Sequence, residues 1–287
     1  MEFLARTYQA VLAASQDVLL CALAFAALAF IAGRAEAWRK ARAAAGEVRT
    51  NIALFAFDVI AVTPLIALML AAMGAAIQHY WRAPIDWSLM PSALVALIAI
   101  FAGDFIAYWR HRLEHTDALW PAHAIHHSDT AMTWTTGLRF HPINRVTTAF
   151  IDTAFLALLG FPPWALIVNN LVRHYYGLFI HMDLPWTYGA LGRVFVSPAM
   201  HRWHHVREAQ GAGANFATVF SVFDQAWRTY HLPGPCDVPL GVRDPVGAGP
   251  IAQLLWPFRA LTRWARAAYD ARRNPQPKGT RMPSEIA

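Results

Sequence analysis

Residues 89–127 read LMPSALVALIAIFAGDFIAYWRHRLEHTDALWPAHAIHH. An apolar run long enough to cross a bilayer passes directly into two histidine-rich strings. In HRLEH, His111 and His115 stand i, i+4. In HAIHH, His123, His126 and His127 stand i, i+3, i+4. Residues 201–205, HRWHH, repeat the second spacing with His201, His204 and His205, and His181 stands alone before them. On a helix these offsets bring the members of each string to neighbouring positions, about 5–6 Å apart at Cβ. Neutral imidazole is the commonest side-chain ligand for first-row metals. Two HxxHH windows and an HxxxH are hard to reach by chance in a chain with 13 histidines.

The number of imidazoles narrows the metal. A structural zinc site takes about four ligands and a catalytic one about three. His111, His115, His123, His126, His127, His181, His201, His204 and His205 exceed one ion and suit two, with four or five ligands each. Cysteine adds nothing, because Cys21 lies in an apolar run and Cys236 in a Pro/Gly-rich segment, with no CxxC spacing. No HExxH is present, and no Glu-x-x-His of the soluble di-iron kind. Glu114, the one carboxylate inside a box, is expected to turn off the ligand face. Nitrogen ligation at two metals suits iron, while imidazole alone leaves zinc, copper and nickel open. No side chain stands out as a catalytic acid or base, and no Gly-rich nucleotide fingerprint is present.

The rest of the chain places this site in a membrane. Apolar residues make up 56% of the sequence, mean hydropathy is +0.30 and 15% is charged, against about 25% in an average soluble domain. Runs at residues 18–33, 52–77 and 89–109 approach the roughly 20 residues that span hydrocarbon. Residues 35–37, Ala-Glu-Ala, mimic a leader cleavage site, but the N-terminus carries only Arg6 against Glu2, and a retained first span is preferred. The loop at 34–49 holds Arg34, Arg39, Lys40, Arg42 and Arg49, whereas residues 79–87 hold only Arg82 and Asp86. The positive-inside rule makes the first loop cytoplasmic and the second external. The third span then delivers His111 to the cytoplasmic side, in what would be a bacterial inner membrane. Residues 146–180 are apolar but broken at Gly160-Phe161-Pro162-Pro163, which predicts a helical hairpin that enters the bilayer and returns, with a fully spanning pair as the alternative.

The predicted fold class is therefore all-α, a polytopic membrane bundle with a histidine-ligated two-metal site at its cytoplasmic face. Its expected segments are N-terminal transmembrane helices (1–100), a histidine-box domain with a membrane hairpin (101–231), and a basic amphipathic helix with a disordered tail (232–287). Apolar residues at helical spacing in 253–273, interleaved with Arg259, Arg263 and Arg266, suit a helix on anionic headgroups. The net charge of +6 and pI near 9.7 are thereby assigned to the membrane and not to nucleic acid. Asp104, two turns before His111, reads either as an acceptor for a ligand N–H or as a buried group satisfied elsewhere. His141 reads as a tenth ligand or a substrate-side donor, or else as a loop residue, and His174 as structural or as a support behind the ligands; His79 and His231 read as bystanders.

These strings resemble the membrane-bound fatty acid hydroxylase / sterol desaturase superfamily. Gly103-Asp104 and Tyr108-Trp109-Arg110 before His111, Leu119-Trp120 before the second box, Arg139-Phe140-His141-Pro142, Ser197-Pro198 before the third box, Asn215-Phe216, and Asp224 with Trp227, Thr229 and Tyr230 carry the resemblance. Asn144, Ala217 and Trp227-Arg228 depart from the family pattern without touching a box. The resemblance implies a non-haem di-iron oxygenase in which two ferrous ions activate dioxygen against an unactivated C–H bond of a lipid. It implies electrons from a separate donor (a reductase, a ferredoxin-like protein or a cytochrome), since no fused haem domain or flavin fingerprint fits. Hydroxylation, desaturation and ether cleavage stay open at this point. Two rivals are a membrane metallohydrolase, which wants a Glu beside about three ligands, and a non-catalytic haem or metal protein with histidines inside its spans.

Overall fold

The computed structural model describes residues 2–33, 35–207 and 213–273. In chain order the helices are α1 (Glu2–Gly33), α2 (Ala35–Ala43), α3 (Ala45–Phe57), α4 (Thr63–Tyr80), α5 (Ser92–Glu114), α6 (Trp120–His127), α7 (Pro142–Leu158), α8 (Pro163–Ile180), α9 (Pro198–His204), α10 (Val222–Ala226) and α11 (Pro250–Arg273). No strand forms among the described residues, which hold only the isolated bridges Phe195–Phe220 and Val206–Leu240. The fold is helical throughout.

Three stretches are long and apolar enough to cross a membrane: Val11–Gly33, Ala45–Tyr80 and Ser92–Glu114. The chain is an integral membrane protein. Leu19, Leu20 and Leu23 on α1, Leu65 and Leu68 on α4, and Leu94 and Leu97 on α5 all face outward. Apolar side chains exposed in such numbers belong in hydrocarbon and not in water. The second stretch is longer than its apolar core at 52–77 suggested, because α3 and α4 are continuous through a π-helical turn, Asp58–Val62. Its cause is Pro64, which has no N–H to return to Ile60 and crowds that carbonyl; a locally wider turn absorbs both defects. The basic segment expected as a loop at 34–49 is instead largely helical, forming α2 and the start of α3. Alanine, glutamate and arginine are good helix formers, and Arg39 pairs with Glu36 at 2.6 Å.

The hairpin forms as α7 and α8, each opened by a proline in its first turn, where a missing N–H costs nothing. Gly160 turns the tip in a left-handed conformation (φ +82°). The indoles of Trp81 and Trp87, in the α4–α5 connection, donate to the tip carbonyls of Leu158 (2.8 Å) and Leu159 (2.9 Å). The tip thus lies level with the far ends of α4 and α5, and both arms run the length of those helices. Close approach of α5 to α8 depends on Gly103, where any Cβ would run into the Asn169 side chain.

The segment 232–249 is loop, as its prolines and glycines indicated, and α11 packs its Trp256 against Leu54 and Ile125. Ile251, Leu255, Phe258 and Leu261 are exposed along the other side of α11, beside exposed Arg259, Arg263 and Arg266. The disordered tail expected from residue 274 lies outside the described residues.

Candidate metal centre

Four helix ends converge to build the site. The last turn of α5 carries His111, with His115 as its C-terminal cap; α6 carries His123, His126 and His127. His181 caps the C-terminus of α8, and α9 carries His201 and His204, with His205 as its cap. The nine rings sort into two groups. His111, His115, His123, His127 and His204 form one; His126, His181, His201 and His205 form the other, and within each group one ligand atom per residue lies within 4.8 Å of all the rest. Each HxxHH box is divided between them. In α6 the i, i+4 pair serves the first group and His126 the second; in α9 the i, i+4 pair serves the second and His204 the first. The groups are adjacent, with the rings of His127 and His205 stacked at 4.3 Å.

Hydrogen bonding fixes the tautomers. The Nδ1–H of His111 donates to Phe216 O (2.8 Å), that of His204 to Ala214 O (2.6 Å), that of His126 to Arg139 O (3.2 Å) and that of His181 to Gly177 O (2.6 Å). A neutral imidazole that donates from Nδ1 has only a lone pair at Nε2. Yet the Nε2 atoms of His111 and His204 lie 3.0 Å apart, and those of His126 and His181 lie 3.2 Å apart. Two lone pairs at that distance repel unless a cation lies between them. With metal–nitrogen bonds of about 2.1 Å, ligands at right angles lie about 3 Å apart and opposed ones about 4 Å apart. Both groups therefore fit a metal ion, and His115 Nε2 adds a buried polar atom without a partner. Burial pushes His204 down to about 4 and holds His123, His127, His201 and His205 well below the ordinary imidazole range. These rings are neutral at pH 7, the form that binds metal.

The surrounding shell explains how the rings are held. The loop at 214–220 turns carbonyls toward His111 and His204 and its N–H groups away. Asp224 accepts from Phe216 N (2.7 Å) and Ala217 N (3.1 Å). Asp104 accepts from the N–H of Thr218, Val219 and Phe220 at 3.2, 3.0 and 2.8 Å. Of the two readings of Asp104, the structure selects the buried group satisfied elsewhere. Asn215, in a left-handed conformation (φ +58°), donates to Met200 O and His231 O and ties this loop to α9. Behind the second group, Arg139 donates to Glu47, Asn51 and Ser128, and Asp129 accepts from Asn51 and Thr136. The sequence reading missed Asn51, and it had Asn215 only as part of the Asn215-Phe216 string. A polar residue at the edge of an apolar span was the available signal for Asn51.

Glu114 turns off the ligand face, as expected, to Arg110 (2.8 Å) and Thr147 (2.6 Å), with its Oε2 3.5 Å from His123 Nδ1. His141 belongs to neither group. Its Nδ1 accepts from Ile143 N and its Nε2 faces Leu254 O, so both nitrogens serve the loop role. His174 pairs with Asp17 of α1 (3.4 Å), and His79 and His231 lie in neither group.

Residues 96–229 match the family model described as fatty acid hydroxylase, and all nine histidines fall inside that match. This segment is similar to the fatty acid hydroxylase family. The chain is 31% identical over 183 residues to the ornithine lipid hydroxylase OlsE of Rhizobium tropici, covering 63% of this chain and 54% of that protein. It is 29% identical over 161 residues to the alkylglycerol monooxygenase of Caenorhabditis elegans, covering 56% of this chain and 30% of the relative. A Delta(7)-sterol 5(6)-desaturase of Gibberella zeae is 25% identical over 150 residues, covering 52% and 45%. The chain thus spans about half or less of the length of these curated relatives. No solved structure matches.

Proposed function

We propose that the chain is a membrane-bound lipid hydroxylase using two iron ions, dioxygen and electrons from a separate protein donor. The observation that carries this is the pair of all-nitrogen groups, five and four imidazoles, four of them left with a free Nε2 lone pair by their Nδ1–H bonds, gathered at the end of the membrane-crossing helix α5. Neither group includes a carboxylate or thiolate, which suits iron and disfavours magnesium or calcium. The ligands proposed are His111, His115, His123, His127 and His204 for one ion and His126, His181, His201 and His205 for the other.

Bound iron would supply dioxygen activation. Each turnover inserts one oxygen atom into a C–H bond and releases the other as water, consuming two electrons and two protons from the donor system. The chain contributes the rest. Backbone carbonyls of Phe216, Ala214, Arg139 and Gly177 hold four rings in the Nδ1–H tautomer and raise their basicity. Asp104 and Asp224 hold the loop that carries two of those carbonyls. The nine rings close a mostly buried chamber that limits water. The three proposed segments are membrane helices at 1–100, the catalytic region at 101–231 and a membrane-surface segment at 232–287. The site is proposed to face the cytoplasm of a bacterial inner membrane, where a reductant is available.

The test pairs metal analysis with lipid analysis. Full-length protein purified anaerobically in detergent is expected to hold two iron ions without a Soret band. Lipids extracted from a strain expressing it are expected to gain a species at +16 mass units that a His204→Ala strain lacks. Zinc alone would favour a hydrolase, and a −2 species would favour desaturation.

A further inference from the structure

Among the described residues, three rings of phenylalanine, tyrosine or tryptophan contact the proposed ligands. Phe216 packs on His111, His115 and His204 at ring separations of 5.6, 5.0 and 5.6 Å. Phe140 stacks on His126 at 4.5 Å. The third ring is Trp120, 5.2 Å from His115, 5.4 Å from His127 and 6.4 Å from His123. Those three histidines all belong to the group of five. A phenyl ring is hard to oxidise, whereas an indole gives up an electron far more readily. The oxidisable ring of Tyr108 stands one ring further out, behind Phe216 at 6.1 Å.

The partner of Trp120 sets it apart from a packing residue. Its Nε1–H donates to Oδ2 of Asp244, 124 residues later, at 3.0 Å. An indole N–H only donates, and a backbone carbonyl is enough to satisfy it. Trp81, Trp87 and Trp203 donate in that way to Leu158 O, Leu159 O and Gly234 O. Among the described residues Trp120 alone donates to a carboxylate, which is also a base. Loss of an electron makes an indole N–H strongly acidic, and a carboxylate already bonded to it takes the proton without moving. Asp244 in turn lines a cavity of about 550 Å³ whose walls include Glu47, Thr130 and Gln253 and no box histidine. Indole and carboxylate together lead from the ligands to that cavity.

A site that activates dioxygen must also limit competing reactions, including those of a turnover that finds no C–H bond in place. Resting on the di-iron reading above, we propose that Trp120 is an electron relay, with Asp244 as its proton acceptor, that discharges the metal centre in such turnovers. The oxidant is the dioxygen-derived, two-electron oxidant at the metals, left after the first oxygen atom has departed as water. Trp120 gives it one electron and passes the Nε1 proton to Asp244, leaving an indolyl radical and a neutral carboxyl group. One electron from the donor system, with the proton returned by Asp244, restores both. Two such cycles, with two protons from solvent, release the second oxygen atom as water and spare the histidines. Trp120 acts through the rings of His115 and His127.

The test uses full-length, iron-loaded protein in detergent, reduced and then exposed to dioxygen without lipid. Freeze-quenched samples are read by electron paramagnetic resonance, and aged samples are digested for peptide mass spectrometry. An indolyl radical is expected, with oxidation at Trp120 at least tenfold above that at the exposed Trp81. Asp244→Asn keeps an oxygen acceptor for the N–H but no basic site. Radical and oxidised Trp120 are expected to fall at least fivefold in that variant with iron content unchanged, and Asp244→Glu is expected to restore them. Trp120→Phe keeps a ring in place and removes the relay, so oxidation of His115 and His127 is expected to rise at least threefold. Oxidation at Trp120 no greater than at Trp81 overturns the inference. Equal oxidation in the wild type and Asp244→Asn also overturns it, marking attack by stray oxygen species. Both results leave the di-iron reading standing. Protein that binds no iron, or whose ferrous form does not react with dioxygen, overturns that reading and the relay with it.

Discussion

At the scale of single residues, His181 and His141 show what spacing reveals and what it hides. His181 has no neighbour in sequence to mark it, yet its Nε2 lies 3.0 Å from that of His201 and 3.2 Å from that of His126. His141 sits in a family-like string and turns both nitrogens to backbone groups. His181→Ala is expected to lose at least half the bound iron, whereas His174→Ala and His141→Ala keep it, as metal analysis of the three purified variants would show. His141→Ala should instead lower the melting temperature, since it frees Ile143 N and Leu254 O. Asp104→Asn replaces a carboxylate that accepts three backbone N–H bonds. Hydrogen bonds to charged groups contribute about 1.5–3 kcal/mol each, so a loss on the order of 2 kcal/mol is expected, read as a lower melting temperature in detergent; an unchanged value would contradict the cradle role. The box histidines were legible because short spacings on one helix encode them. Asp104 and its target Thr218 are 114 residues apart, and no local pattern links such a pair.

At the scale of elements, the apolar runs were legible because lipid imposes length and hydropathy directly on sequence. Helix ends were less so. α5 runs five residues past its apolar run, from 109 to Glu114, since Arg110, Arg112 and Glu114 are helix formers whatever the solvent. The depth of the hairpin was not legible at all, because it rests on two indole bonds from another connection. Trp87→Phe removes one of them, and such a bond is worth about 0.5–1.5 kcal/mol. The expected result is faster proteolysis at 158–163 in nanodiscs with iron content retained. Orientation has its own experiment. Reporters fused at residue 42 and after residue 273 are expected on the cytoplasmic side and one at residue 82 outside, and agreement between 82 and the C-terminal fusion would refute the proposed topology.

At the scale of the whole molecule, the sequence indicated nine imidazoles for two ions but not their partition. All the members of a box look alike on a helical wheel, and only the relative placement of α6 and α9 decides which ring serves which group. That placement has a consequence for how the protein fills. Because α6 and α9 each contribute to both groups, capture of a first ion fixes the pitch and rotation of helices that also present rings to the second. The ordering entropy of those shared helices is then lost once and not twice. Loading should therefore be cooperative. Titration of the apo-protein with ferrous ion is expected to give a sigmoidal curve, and a half-loaded sample should contain mainly empty and doubly filled molecules when counted by native mass spectrometry. A binomial distribution, with half the molecules carrying a single ion, would mean that the groups fill independently despite their common helices.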